Sequence, residues 1–259
     1  MNDALKDKKI LVTRPADQAV KLCAMIEAAG GQAINLPAIS IELVPVTDLL
    51  QRCLSELYKY QIGIFISQNA VQHTLNLLQH DPDRLESLSI IAIGAATAAA
   101  LKAAGIVAVP LADTEATSET LLELPELQSG RVQGCNILIF RGIGGRELLA
   151  ETLRARGAQV DYVEVYRRVP ARYEQSVLDN IWFRQKPDLI VASSNEGLQN
   201  LLDMSGPEQR QIMQNTPLVV LSRRMSDQAQ ALGFGKAPLI AEETTDQGLF
   251  QAILESIGE

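Results

Sequence analysis

Histidine is nearly missing from this sequence: His73 and His80 are the only two in 259 residues. Cysteine is scarce as well. Cys23, Cys53 and Cys135 are scattered and odd in number, with no C-x-x-C spacing and no even disulfide framework. A metal site is not expected, because the histidines stand seven apart with no nearby cysteine and no H-E-x-x-H; they read as two exposed residues of one helix face. Basic residues are outnumbered, 23 against 31 acidic, for a net charge of −8 and a pI near 4.9. That balance excludes a duplex nucleic-acid binder, which needs clustered cations. No apolar run reaches the roughly 18–20 residues of a membrane helix. Residues 1–9 are polar and charged, unlike a secretory signal, so the cytoplasm is the expected compartment. P-loop, G-x-S-x-G elbow and Ser-His-Asp set are all lacking.

What is present is a core-forming chain. Hydrophobic residues make up 47%, and the length fits one large or two mid-sized domains. Short apolar runs alternate with helical patterns, as in βαβ units on a mostly parallel sheet. Ile10-Leu11-Val12 reads as a strand ending at Thr13-Arg14-Pro15. Ala19, Leu22, Cys23, Ile26 and Ala29 then recur at helical spacing before Gly30-Gly31.

The unit repeats. Residues 9–14 align with 136–141, and the stop at Gly30-Gly31 aligns with Gly157. Residues 62–69 align with 188–195. Ile90 to Gly94, continuing to Leu101 and Gly105, aligns with Leu218 to Ser222, continuing to Leu232 and Gly233. An offset of about half the chain implies two similar α/β domains. Unit order (one, two, three, one, two, three) closes the middle block on itself and forces the first unit to join the C-terminal block. Two extended crossings are then needed. Segments 37–45 and 162–170 both have period-2 character and end in proline, so they are candidates for a two-stranded hinge beside a ligand cleft.

Polar clusters fall where these strands end: Thr13-Arg14, Ser67-Gln68-Asn69, Gly94 to Thr97, Arg141 to Arg146, Ser193-Ser194-Asn195 and Ser222-Arg223-Arg224. Each is also a helix N-cap candidate. Ligands of parallel sheets bind at such ends, and uncharged donors with a few arginines suit a ligand rich in carboxylates. Gly142 and Gly144 give G-x-G, but Glu147 stands where a dinucleotide loop has its third glycine.

Together these pieces resemble the uroporphyrinogen-III synthase family over nearly the whole chain. The resemblance rests on Val12-Thr13-Arg14-Pro15, residues 65–71, residues 93–98 with Gly105, Arg141-Gly142 with Gly157-Ala158, Val163-Glu164-Val165-Tyr166, and Ser193-Ser194-Asn195. It implies two similar flavodoxin-like three-layer α/β domains with parallel sheets, joined by a two-stranded β-ladder hinge. The expected division is 1–38 plus 171–259 for one domain, 46–163 for the other, and 39–45 with 164–170 as hinge strands. It further implies a cofactor-independent monomer that cyclises hydroxymethylbilane with inversion of ring D, the substrate being handed over by the upstream synthase. Tyr166 matches the family's proposed proton donor. Ser67, Asn69, Thr97, Ser193 and Ser194 match positions that contact substrate carboxylates. The remaining substrate-binding candidates are Thr13, Arg14, Arg141, Gly142, Asn195, Ser222 and Arg223. Met225 stands where a family hydroxyl is expected, with Arg223 or Arg224 as the replacement. Two other readings compete: a non-catalytic two-domain binding protein for a small anion, and a nucleotide-dependent enzyme built on Gly142 and Gly144.

Overall fold

The first apolar run forms β1, Lys9–Val12, which sends Ile10 and Val12 into one apolar layer and Leu11 into another. Side chains of a regular strand alternate in this way. A computed structural model of the chain describes residues 3–109, 117–145 and 147–258, so Arg146 lies outside the described residues. The remaining strands are β2 (Gln32–Asn35), β3 (Ile39–Leu43), β4 (Ile62–Phe65), β5 (Ser89–Ala92), β6 (Ala108–Val109), β7 (Asn136–Gly142), β8 (Gln159–Pro170), β9 (Leu189–Ala192), β10 (Leu218–Val220) and β11 (Leu239–Ile240). The chain divides into two units, Met1–Ser40 with Val169–Glu259, and Ile41–Arg168.

In the first unit the strand order is β11-β10-β9-β1-β2, with parallel pairing throughout. This is the flavodoxin-type order. One face packs Leu11, Ile190, Ala192, Leu218 and Val220 against Trp182 and Leu198. The other packs Ile10, Val12, Leu189, Val191 and Val219 against Leu22, Ile26 and Ile253. Helices thus cover both faces, giving three layers.

In the second unit the order is β3-β8-β7-β4-β5-β6. Replacing β1, β2, β9, β10 and β11 by β7, β8, β4, β5 and β6 reproduces five of these six strands, with β3 added at the edge beside β8, so the two sheets are circular permutations of one five-stranded arrangement. Their helix ends agree too. Gly30 (φ +85°) and Gly157 (φ +89°) are left-handed, and the following N–H groups reach back to the carbonyls of Ile26 (3.0 Å) and Leu153 (3.1 Å). This Schellman closure favours a residue without Cβ. Phe65 and Phe140 stack at 4.2 Å on one face of the second sheet; Ile64, Ile137 and Ile139 fill the other.

The segments expected as hinge strands, 39–45 and 164–170, fall on β3 and the second half of β8. β8 begins at Gln159 and pairs with β7 as far as Tyr166, and β3 is the edge strand beside it. The cause is the buried series Val160, Val163, Val165 and Tyr166, which ties β8 into the second unit's apolar layers.

Candidate functional site

Parallel sheets offer ligand-binding crevices beyond their carboxyl edge, where neighbouring strands lead in opposite directions. In the first unit that point lies between β1 and β9, and in the second between β7 and β4. The sequence candidates divide between these edges: Thr13, Arg14, Ser193, Ser194, Asn195, Ser222 and Arg223 in the first unit, and Ser67, Asn69, Thr97, Arg141, Gly142 and Tyr166 in the second.

At the first edge, Thr13 is buried and its hydroxyl donates to the Val191 carbonyl at 3.0 Å, closing the β1–β9 junction. Arg14 pairs with Asp246, the first residue of the helix Asp246–Gly258, while its Nε is buried with no partner. Ser194 and Ser222 are N-caps that accept from the N–H groups of Gly197 (3.0 Å) and Met225 (3.3 Å). Each cap satisfies one of the four N–H groups a helix start leaves without an intrahelical partner. Ser193 is half-buried, and the Asn195 Oδ1 is buried and unpartnered. Arg223 is 79% exposed, with its Nε 3.1 Å from Asp227. Met225 is 4% exposed within the apolar layer below, so this position fills core volume.

The second edge is organised around Tyr166. Its ring lies over Gly142, and its phenol oxygen is 3.1 Å from the Ser67 Oγ. Ser67 caps the helix Gln68–Leu77, accepting from the Ala70 N–H at 3.0 Å. Asn69 and Thr97 are buried on the first turns of their helices. Gly94, at φ +80°, opens the Thr97 helix in a conformation that suits glycine.

Arg141 is 3% exposed and turns into its own loop. Its Nε donates to the Gly142 carbonyl at 3.1 Å, its Nη2 to the Gly144 carbonyl, and its Nη1 to Glu147 at 3.1 Å. The guanidinium also sits 4.4 Å from the Tyr162 ring centre. Arg141 therefore shapes the loop of residues 142–147. Glu147 already places a carboxylate at the start of the helix Leu148–Ala155, where a dinucleotide would need its pyrophosphate. Glu147 also accepts from the Tyr162 hydroxyl, which holds its carboxyl below the usual range, with Arg141 adding to the effect. Burial, then the Glu147 bond, pushes the Tyr162 phenol up to about 12. Beside Arg141 and Tyr162 opens a cavity of about 350 Å³, floored by Ile66, Ile93 and Ile139. It lies on the sheet face opposite Tyr166, whose neighbours are Phe65 and Phe140.

The histidine reading needs correction. His80 is exposed and lies beyond the helix, which ends at Leu77. His73 is half-buried, 5.8 Å from the Tyr166 ring centre, and its Nδ1 is buried without a partner. Burial lowers its pKa. Asp246 and Glu147 were also missed, as partners of Arg14 and Arg141. Among the described residues, no group of three or more His, Cys, Asp or Glu is placed to hold a metal ion.

Residues 20–251 match the family model described as uroporphyrinogen-III synthase HemD. The uroporphyrinogen-III synthase of Salmonella typhimurium is 32% identical over 94% of this chain and 99% of that protein. That of Escherichia coli is 30% identical over the same shares. Among solved structures, the uroporphyrinogen-III synthetase of Helicobacter pylori superposes with a TM-score of 0.65 at 14% identity, covering 96% of this chain and 99% of that chain. A mutant synthase from Thermus thermophilus gives 0.57 at 19%, covering 97% and 99%. At these identities the structural likeness concerns the fold.

Proposed function

The chain belongs to the uroporphyrinogen-III synthase family, and on that premise we propose that it cyclises hydroxymethylbilane to uroporphyrinogen III, inverting ring D and releasing water. The observation that carries this reading is the family match along residues 20–251. Loss of the terminal hydroxyl gives an electrophilic azafulvene. Ring D attacks through its substituted carbon to give a spiro intermediate, which fragments and recloses. Leaving group and nucleophile both belong to the substrate, so the protein's task is to fold it into the reactive shape and assist departure of the hydroxyl.

The residues suit that division of labour. Hydroxyl and amide donors at each sheet edge, with guanidinium donors at the first, are a fitting chemistry for a substrate with many carboxylates. The Arg14 guanidinium, 20% exposed, and the half-buried Ser193 hydroxyl just beyond β9 are the donors with which the first edge holds a carboxylate. Tyr166 is the proton source. The chain works without a cofactor, as a cytoplasmic monomer that receives substrate from the upstream synthase, and the −8 charge disfavours a nucleic-acid partner. No helix among the described residues is long and apolar enough to cross a membrane.

The test is an isomer assay. Hydroxymethylbilane is generated in situ from porphobilinogen, the protein is added, and the oxidised products are separated. Predominant uroporphyrin III is expected. Isomer I alone, the spontaneous product, from folded protein would overturn the reading in favour of a non-catalytic anion-binding protein.

A further inference from the structure

Resting on the proposed cyclisation, we propose that the Ser67 hydroxyl is the group that delivers the proton to the departing substrate hydroxyl, with Tyr166 behind it as the proton's source. Tyr166 is 3% exposed, enclosed by Phe65, Phe140, Val163 and Val165, whereas Ser67 is half-buried at the sheet's carboxyl edge. The phenol oxygen is 3.1 Å from the Ser67 Oγ. A serine hydroxyl has one hydrogen to donate and two lone pairs to accept with. One lone pair takes the Ala70 N–H at 3.0 Å. The other can accept from Tyr166, and the serine's own hydrogen is then the one a ligand meets. The helix cap fixes the Oγ position from below, and Gly142 lets the Tyr166 ring come close enough to reach it.

The step balances as follows. The C–O bond of the terminal hydroxymethyl group breaks with its electron pair on oxygen, which takes the Ser67 proton and leaves as water. The pyrrole nitrogen's lone pair fills the vacancy at carbon, giving the azafulvene as its protonated cation. Ser67 Oγ takes the Tyr166 proton. Ring closure and rearomatisation return one proton from the substrate, which restores the phenol through the same serine.

Ser67→Ala removes both relay and cap, so two further variants separate them. Ser67→Asn keeps a cap acceptor without a hydroxyl, and Ser67→Thr keeps both. The expected result is a drop in kcat of about 10²-fold, in the range of general acid catalysis, for Ser67→Asn and Ser67→Ala. KM should stay within about twofold and Ser67→Thr should remain near wild type. In a Tyr166→Phe background, Ser67→Ala should add less than about twofold, since the two act as one path. Full kcat in Ser67→Asn would overturn the proposal. So would a raised KM with unchanged kcat, which is the mark of a plain carboxylate contact. Multiplicative losses in the double variant would overturn it as well. The wild type is assayed alongside: isomer III with any of these outcomes defeats the relay alone, whereas isomer I from the wild type removes the reaction and the relay with it.

Discussion

A methyl group at Gly142 would stand 2.6 Å from Cε2 of Tyr166. Real Cβ atoms do not approach a ring that closely, so the glycine and the tyrosine position one another. Gly142→Ala is expected to push the phenol off Ser67 and to lower kcat by at least tenfold, with a destabilisation of about 1–3 kcal/mol from overpacking. Gly130→Ala is the matched control, because nothing lies within 4 Å of a methyl there. Equal activity in the two variants would mean that the ring has room to move.

Arg14 and Arg223 are expected to bind carboxylate alike but to differ in stability. The Arg14–Asp246 pair has 20% exposure on each side, so Arg14→Ala should cost about 1 kcal/mol and lower Tm by roughly 2–4 °C. Arg223, 79% exposed, should leave Tm unchanged. Both substitutions should raise KM more than they lower kcat. A kcat loss at constant KM in both would remove them from uniform substrate binding.

Acid stability should report on His73. Burial lowers its pKa, so the folded chain keeps the ring neutral where the unfolded chain, near 6.5, already binds a proton. The unfolded state then holds more protons, and stability declines as pH falls below about 6.5 until the folded ring itself protonates. Urea unfolding at a series of pH values should show a shallower acid slope for His73→Gln than for wild type. Identical slopes would sink this account.

The Tyr162–Glu147 contact gives a spectroscopic prediction. Glu147→Gln removes the carboxylate that helps hold the Tyr162 phenol at about 12. The phenolate component missing from Tyr162→Phe should therefore appear at lower pH once Glu147 is replaced. An unmoved titration would show that burial alone sets the value.

Much of this architecture could be read from spacing, and its limits have a physical cause. The repeat announced itself because β1 and β7, β4 and β9, and β5 and β10 are buried strands whose apolar runs and terminal glycines are local in sequence. The order of those repeats even contained the permutation. Contacts set by tertiary packing left no such trace. Asp246 meets Arg14 across 232 positions, and nothing in a helical stretch distinguishes a histidine beside a tyrosine from one in solvent. Arg141 is the instructive case: a strand-end arginine reads as an anion clamp, yet a buried guanidinium needs partners and finds them in its own loop.

The permuted order also sets a timetable for synthesis. Residues 41–168 are contiguous, so the second unit can close on itself while translation continues. β1 and β2 emerge earlier but must wait for β9, because β1 lies between β2 and β9 in its sheet. At about 5–20 residues per second the wait is on the order of ten seconds. During it the nascent chain carries an unpaired, apolar strand edge. Holding that edge soluble is a requirement placed on the cell by strand order alone, and a slowed ribosome would lengthen the exposure.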